Sequence, residues 1–212
     1  MKALVIGATG ATGKDLVQVL LQDPDYTEVT ALVRRPGGLK HPKYTEIITD
    51  FDKLGDVADS ITGDVWFSCL GTTLKAAGSK EKQWRIDHDI PLNFAGIAKR
   101  NGVPKAVLVS AYGASATSRV FYSRLKGTLD DAIARLGFDS CVIFRPGFLL
   151  RKNTDRLGER LTAHGLKFMN RLGVLRKFRP LPTSTLAEKL AEAPKKDASG
   201  TRIIQLDEIF RL

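Results

Sequence analysis

A chain of 212 residues with 43% hydrophobic and 26% charged side chains has the composition of one globular α/β domain and excludes disorder as its resting state. No apolar run reaches the roughly 18 residues needed to span a bilayer, which excludes a membrane-spanning helix. The net charge of +10 is uneven: residues 1–144 carry 18 basic against 16 acidic side chains, and residues 145–212 carry 15 against 7.

The N-terminal run is short and breaks at glycine, so it reads as a first strand rather than an export signal. Cys69 and Cys141 each lie in an apolar β-type run and read as buried free thiols. Together these features predict a cytoplasmic protein. Six strands are expected in order, at residues 3–6, 29–33, 46–49, 65–70, 106–110 and 140–144. Several are continuous apolar runs, as parallel strands covered on both faces require.

Helices are expected over 14–21, with an apolar stripe of Leu16, Val17, Leu20 and Leu21, over 84–99, stopped by Asn101-Gly102, and over 121–136, stopped by Gly137. Trp84 reads as an anchor of the second of these helices. Alternating β–α units predict a doubly wound parallel sheet of Rossmann type, as a single domain over 1–212. After Phe144 the pattern loosens. A polar loop over 151–158, a helix over 159–172, and a short helix capped by Thr185 and Glu188 and ended by Pro194 are expected. Residues 202–206 read as a last strand, and 146–212 are expected to be mostly a small substrate lobe over the carboxyl ends of the strands.

The loop Gly7-Ala8-Thr9-Gly10-Ala11-Thr12-Gly13 joins the first strand to the first helix with glycines in the order GxxGxxG. Glycine there permits a tight turn, close approach of backbone to a pyrophosphate, and close helix–strand packing. Helix N–H groups and the positive end of the helix dipole then face the phosphates. A P-loop is excluded, because Ala8 and Asp15 stand where glycine and Ser/Thr would be needed. At the end of the second strand, Arg34-Arg35 replaces the acidic residue that binds a ribose 2′-hydroxyl. Two guanidinium groups suit a 2′-phosphate by charge and fork geometry, so the expected cofactor is NADP.

Tyr122 and Lys126 form a YxxxK pair at the start of the helix after the fifth strand, and Ser110 ends that strand. A free tyrosine titrates near about 10, so acid–base work near neutrality needs a neighbouring cation. A lysine at i+4 lies on the same helix face and can supply it. The three histidines show no metal spacing, and His164 reads as a surface helix residue.

These features resemble the short-chain dehydrogenase/reductase superfamily in its atypical branch. Residues 50–54 (DFDKL), 69–73 (CLGTT), 121–127 (FYSRLKG) and 144–150 (FRPGFLL) bring the resemblance to the Tat-interacting oxidoreductase family and its bacterial relatives. It implies that Gly7 to Gly13 hold the pyrophosphate, Arg34 and Arg35 the 2′-phosphate, and that Leu70 and Gly71 lie along the adenosine. It also implies that Tyr122 and Lys126 meet the nicotinamide ribose, Pro146 to Leu149 the nicotinamide, and Arg156 the cofactor or substrate. Two departures stand out. Ser110-Ala111 replaces a serine pair, and Asp87 occupies the place of the superfamily's helix asparagine.

The expected function is NADP(H)-dependent oxidoreduction of a small carbonyl or hydroxyl substrate, with Tyr122, Lys126 and Ser110 as the catalytic set. The alternative is an NADP(H) sensor or partner-binding protein with little turnover. The basic tail suits an anionic small molecule, a nucleic acid or an anionic membrane surface, and equally a solvated face with no partner. Its cations are scattered and its aromatics are only Phe148, Phe168, Phe178 and Phe210, which argues against a nucleic-acid partner.

Overall fold

The computed structural model describes residues 1–150, 179–196 and 199–211. The Arg151–Gly158 loop, the helix expected over 159–172, Arg156 and His164 lie outside the described residues. Seven parallel strands form one sheet in the order β3-β2-β1-β4-β5-β6-β9. They are β1 (Lys2–Ile6), β2 (Glu28–Val33), β3 (Tyr44–Ile48), β4 (Val65–Ser68), β5 (Lys105–Val109), β6 (Ser140–Arg145) and β9 (Gly200–Gln205). Strands β7 (Leu149–Leu150) and β8 (Leu181–Pro182) pair separately. This is the expected Rossmann fold, and all seven strands anticipated from the apolar runs are present.

Apolar residues at consecutive strand positions serve two cores at once, because strand side chains alternate between faces. Ala3 and Val5 of β1 join Leu16, Val17 and Leu20 of helix α1 (Ala11–Gln22) on one side. Leu4 and Ile6 face the other side. There they join Phe94 and Ala98 of α4 (Ile90–Arg100) and Leu129 and Ile133 of α5 (Phe121–Arg135). Trp66 is fully buried in this second core and stacks on Phe94 and Phe138.

The helix expected from Trp84 begins earlier and is interrupted. Short helices α2 (Leu74–Ala77) and α3 (Lys80–Trp84) lead into a π-helical turn, Arg85–Asp89, before α4. Thr73 and Ser79 cap α2 and α3 by accepting the Ala76 and Lys82 N–H groups. Trp84 packs against His88 and Phe121, tying this segment to α5.

The tail departs from expectation in two ways. Helix α6 (Thr183–Glu192) starts two residues before Thr185, with Pro182 at its N-cap. No capping box forms, because Thr183 takes the first turn and donates its hydroxyl to Asp15 at 2.6 Å. Pro194 falls in a 3-10 turn, Ala193–Lys195, that follows directly. Helix α6 also packs beside α1 in the layer covering the sheet, where Leu186 and Leu190 share the α1 core. The described part of the tail thus completes the Rossmann core, with β9 as its seventh strand.

Candidate cofactor cleft and active site

The chain order reverses between β1 and β4, and the loops after these two strands diverge there. In open α/β sheets that crevice is where ligands bind. A cleft of about 750 Å³ lies at this point, with Gly10, Ala11 and Thr12 on one wall and Cys69 to Thr73 beside them.

The glycine loop is built by contact. Gly7 has φ +78°, and a Cβ there would meet the Cys69 and Leu70 backbone at 2.5 Å. A Cβ on Gly13 would lie 2.1 Å from the Gly7 carbonyl oxygen, so no side chain fits between helix and strand. Ala8 is buried behind the loop, while Thr9, Gly10 and Ala11 are exposed. Helix α1 has Gly10 at its N-cap and no capping side chain. Its first N–H groups therefore remain for an anion. This cradle fits a pyrophosphate.

Arg34 and Arg35 are exposed just past β2, next to the strand that feeds the loop, and form no ion pair among the described residues. The turn after them is fixed by Glu46 of β3, which accepts the Gly37 N–H at 2.8 Å and the Tyr44 hydroxyl at 3.0 Å.

On the opposite wall stand Ser110, Tyr122, Lys126 and Leu149, with Leu70 and Gly71 between them and the glycine loop. Ser110 follows β5 directly, where its N–H is held by the Phe144 carbonyl at 2.7 Å. Tyr122 is 40% exposed at the start of α5, and Lys126, one turn later, is 2% exposed. The Lys126 ammonium reaches toward Gly71, where a Cβ would lie 3.9 Å from it. Pro146 is buried behind this wall and does not line the cleft; its carbonyl accepts the Tyr112 N–H at 2.9 Å.

Around Lys126 lie two carboxylates that sequence reasoning either missed or only flagged. Asp87, fully buried in the π-helical turn, accepts the Thr72 N–H at 2.7 Å, and Gln83 donates to the Thr72 carbonyl at 3.1 Å. These bonds fasten the cleft wall after β4 to the helix. Burial pushes the Asp87 carboxyl up to about 6, against the pull of Lys126 and the Thr72 N–H. Its second oxygen has no hydrogen-bond partner among the described residues.

Asp130, 1% exposed, was not singled out at all. Its Oδ2 accepts from the Ser110 hydroxyl and from Arg145 Nε, each at 2.9 Å. Burial raises its carboxyl, while Ser110, Arg145 and Lys126 oppose the rise. The available signal was its place four residues after Lys126, on the same helix face. Gly127 was also missed. A Cβ there would meet the Ser115 backbone at 2.2 Å, so the loop between β5 and α5 lies directly on the helix beside Lys126. A glycine inside a helix, costly by about 1 kcal/mol, was the clue.

Fold, glycine cradle and cleft together define an NAD(P)-binding Rossmann protein. The NAD(P)H-binding family model matches residues 7–172. FMP52 of Candida albicans, named as mitochondrial, is 39% identical over 171 residues, covering 78% of this chain and 72% of its own. HTATIP2 of Rattus norvegicus is 36% identical over 160 residues, covering 73% of this chain and 66% of its own. The chain belongs to this NAD(P)H-binding family, with FMP52 and HTATIP2 among its relatives. MoeE5, solved with UDP-glucose and NAD, has the same fold at a TM-score of 0.74 and 16% identity, covering 97% of this chain and 76% of its own.

The relatives correct the expected cytoplasmic location. FMP52 proteins of Candida albicans, Eremothecium gossypii and Saccharomyces cerevisiae are all named mitochondrial. Free thiols do not distinguish one reducing compartment from another. Cys69 is also only partly buried, since it lines the cleft. Among the described residues no helix is long and apolar enough to cross a membrane, and no group of side chains has metal-ligating geometry.

Proposed function

We propose that the protein is an NADP(H)-dependent oxidoreductase acting on a small carbonyl or hydroxyl substrate. The observation carrying this reading is that Gly10 to Thr12, Ser110, Tyr122 and Lys126 all line one cleft at the reversal of strand order. Gly7 to Gly13 would hold the pyrophosphate, and Arg34 and Arg35 the 2′-phosphate. Leu70 and Gly71 would flank the adenosine side, and Leu149 the nicotinamide side. Arg156 is assigned to cofactor or substrate by resemblance alone. When bound, NADP(H) supplies the hydride. Tyr122 gives or takes the proton of the substrate oxygen, and Lys126 places a positive charge beneath it and meets the ribose.

Calorimetry tests the cofactor assignment. NADPH should bind at least about tenfold tighter than NADH, a difference of about 1.4 kcal/mol. Replacing Arg34 and Arg35 by alanine should erase most of that gap, and equal affinities in wild type would refute it. Turnover is tested by NADPH oxidation across aldehydes, ketones, quinones and sugar nucleotides. Tyr122→Phe should lower kcat by about 10²–10⁴. NADPH affinity should stay within a few-fold, since one lost hydrogen bond is worth about 0.5–1.5 kcal/mol. Tight NADPH binding with no turnover on any substrate would favour the sensor.

A further inference from the structure

Two cations line the cleft, Lys80 and Lys126, and among the described residues no carboxylate does. Lys126 is buried, with Asp87 and Asp130 close enough to feel its charge. Lys80 is exposed at the start of α3 and forms no salt bridge among the described residues. The adjacent Glu81 carboxylate is held by its own N–H and by Ser79 ahead of Lys80. The Lys80 ammonium lies 5.6 Å from the centre of the Phe121 ring, and Trp84 packs on that ring at 6.3 Å. A ring face orients an exposed ammonium but leaves most of its N–H donors unused. The other polar groups of this wall are committed. Gln83 donates to the Thr72 carbonyl, the Thr72 N–H goes to Asp87, and Ser110, Tyr122 and Lys126 form the catalytic set. Among the described residues this leaves Thr73, whose hydroxyl accepts the Ala76 N–H and keeps a proton to donate, and Lys80, which alone is charged. Leu74 and Val120 line the same cleft at 46% and 64% exposure, apolar surface that a ligand body would cover.

We propose that Lys80 is a specificity-determining residue that binds a carboxylate on the substrate. The substrate class is a keto acid or hydroxy acid whose carboxylate is separated from the reacting carbon by an apolar body. Phe121 directly precedes Tyr122, so one turn of α5 fixes both the anion site and the proton donor. Leu74, Val120 and Leu149 give the body between them its apolar wall. The anion is a carboxylate because its single charge is matched by one ammonium. A phosphate monoester carries about −1.5 to −2 and would stay half-neutralised beside one lysine. The keto- or hydroxy-acid class rests on the oxidoreductase reading; carboxylate binding at Lys80 does not.

The probes are 4-acetylbenzoate and 4-methylacetophenone, which share a ketone at one end and differ in charge at the other. With NADP⁺ bound, calorimetry should show the carboxylate binding at least about tenfold tighter than its neutral counterpart. Lys80→Met should bring that preference below about twofold by weakening 4-acetylbenzoate, and Lys80→Arg should retain most of it. No preference in wild type, whether both ketones bind or neither, overturns the proposal. So does a preference that survives in Lys80→Met, which would put the carboxylate on another cation. NADPH affinity is measured on the same variant. A loss of about tenfold or more would assign Lys80 to the cofactor and overturn the proposal as well. A preference that depends on Lys80, in a protein that oxidises no NADPH with any substrate, would keep the carboxylate site and refute the oxidoreductase reading. Turnover of ketones without that preference would refute the carboxylate site and keep the oxidoreductase reading.

Discussion

At the residue scale the site is decided by burial. Lys126 was read as a partner of Tyr122, but it is equally the cation between Asp87 and Asp130. Lys126→Ala would leave two buried carboxylates short of a counter-charge, so it tests folding as much as chemistry; Tyr122→Phe is the cleaner probe. Asp87 itself predicts a pH effect. Its carboxyl is pushed up to about 6 in the fold. The fold therefore favours the protonated form. The stability that Asp87 permits is fully present below about pH 4 and is lost as pH rises through 6. Ionising Asp87 inside the fold then costs about 3 kcal/mol at pH 8. Asp87→Asn keeps an acceptor for the Thr72 N–H and removes the charge. Denaturant unfolding should show the variant more stable than wild type at pH 8 by up to about 3 kcal/mol, and by roughly half that at pH 5. A difference that does not grow with pH would contradict a raised Asp87.

At the element scale, close approach between backbones sets the cofactor cradle. Gly13→Ala drives a methyl group into the Gly7 carbonyl, 2.1 Å away, with helix α1 locked against the sheet by Leu16, Val17 and Leu20. Overpacking of this kind costs at least about 1–3 kcal/mol. The variant should melt earlier and lose NADPH affinity together. Gly10→Ala meets that same carbonyl only at 3.3 Å and is exposed on the cleft wall. It should keep most of the thermal stability while weakening NADPH binding, because the added methyl occupies the approach of the pyrophosphate. Melting curves and calorimetry on the two variants separate these outcomes; equal loss of stability would refute the distinction.

At the scale of the molecule, three of the seven described basic residues of the tail, Arg145, Lys195 and Arg211, are paired with carboxylates. Lys195 pairs with Asp23 at 2.6 Å and Asp25 at 2.9 Å, Arg145 with Asp130, and Arg211 with Asp207. Tyr26 donates to the Ala191 carbonyl at 2.7 Å, and Lys105 to the Pro194 carbonyl at 2.7 Å. Cations committed in this way are poor ligands for a polyanion. Duplex DNA should bind no tighter than about 1 μM at physiological salt and weaken steeply as salt rises. Sub-micromolar binding in a fluorescence anisotropy titration would point to a nucleic-acid surface.

Strands and cradle were legible in the sequence because their causes are local. Apolar runs such as Ala3–Ile6 and Val65–Leu70 admit few alternatives to a buried parallel strand. Gly7 and Gly13 stand where a side chain would strike the neighbouring backbone, so the spacing alone declared the turn. The start of α6 was misread because a Thr–Glu spacing is indifferent to what stands across from it; Asp15, 168 residues away in sequence, claims the Thr183 hydroxyl. Asp130 was passed over for a similar reason, its spacing from Lys126 being the one local signal. A carboxylate on a helix reads as solvated until β5 and β6 bring Ser110 and Arg145 onto it, from 20 and 15 positions away. The sequence by itself determined which backbone conformations form and where glycine must stand, because these follow from short-range sterics and the period of burial. Only the tertiary structure decided which polar groups are desolvated together, because that depends on contacts between elements far apart along the chain.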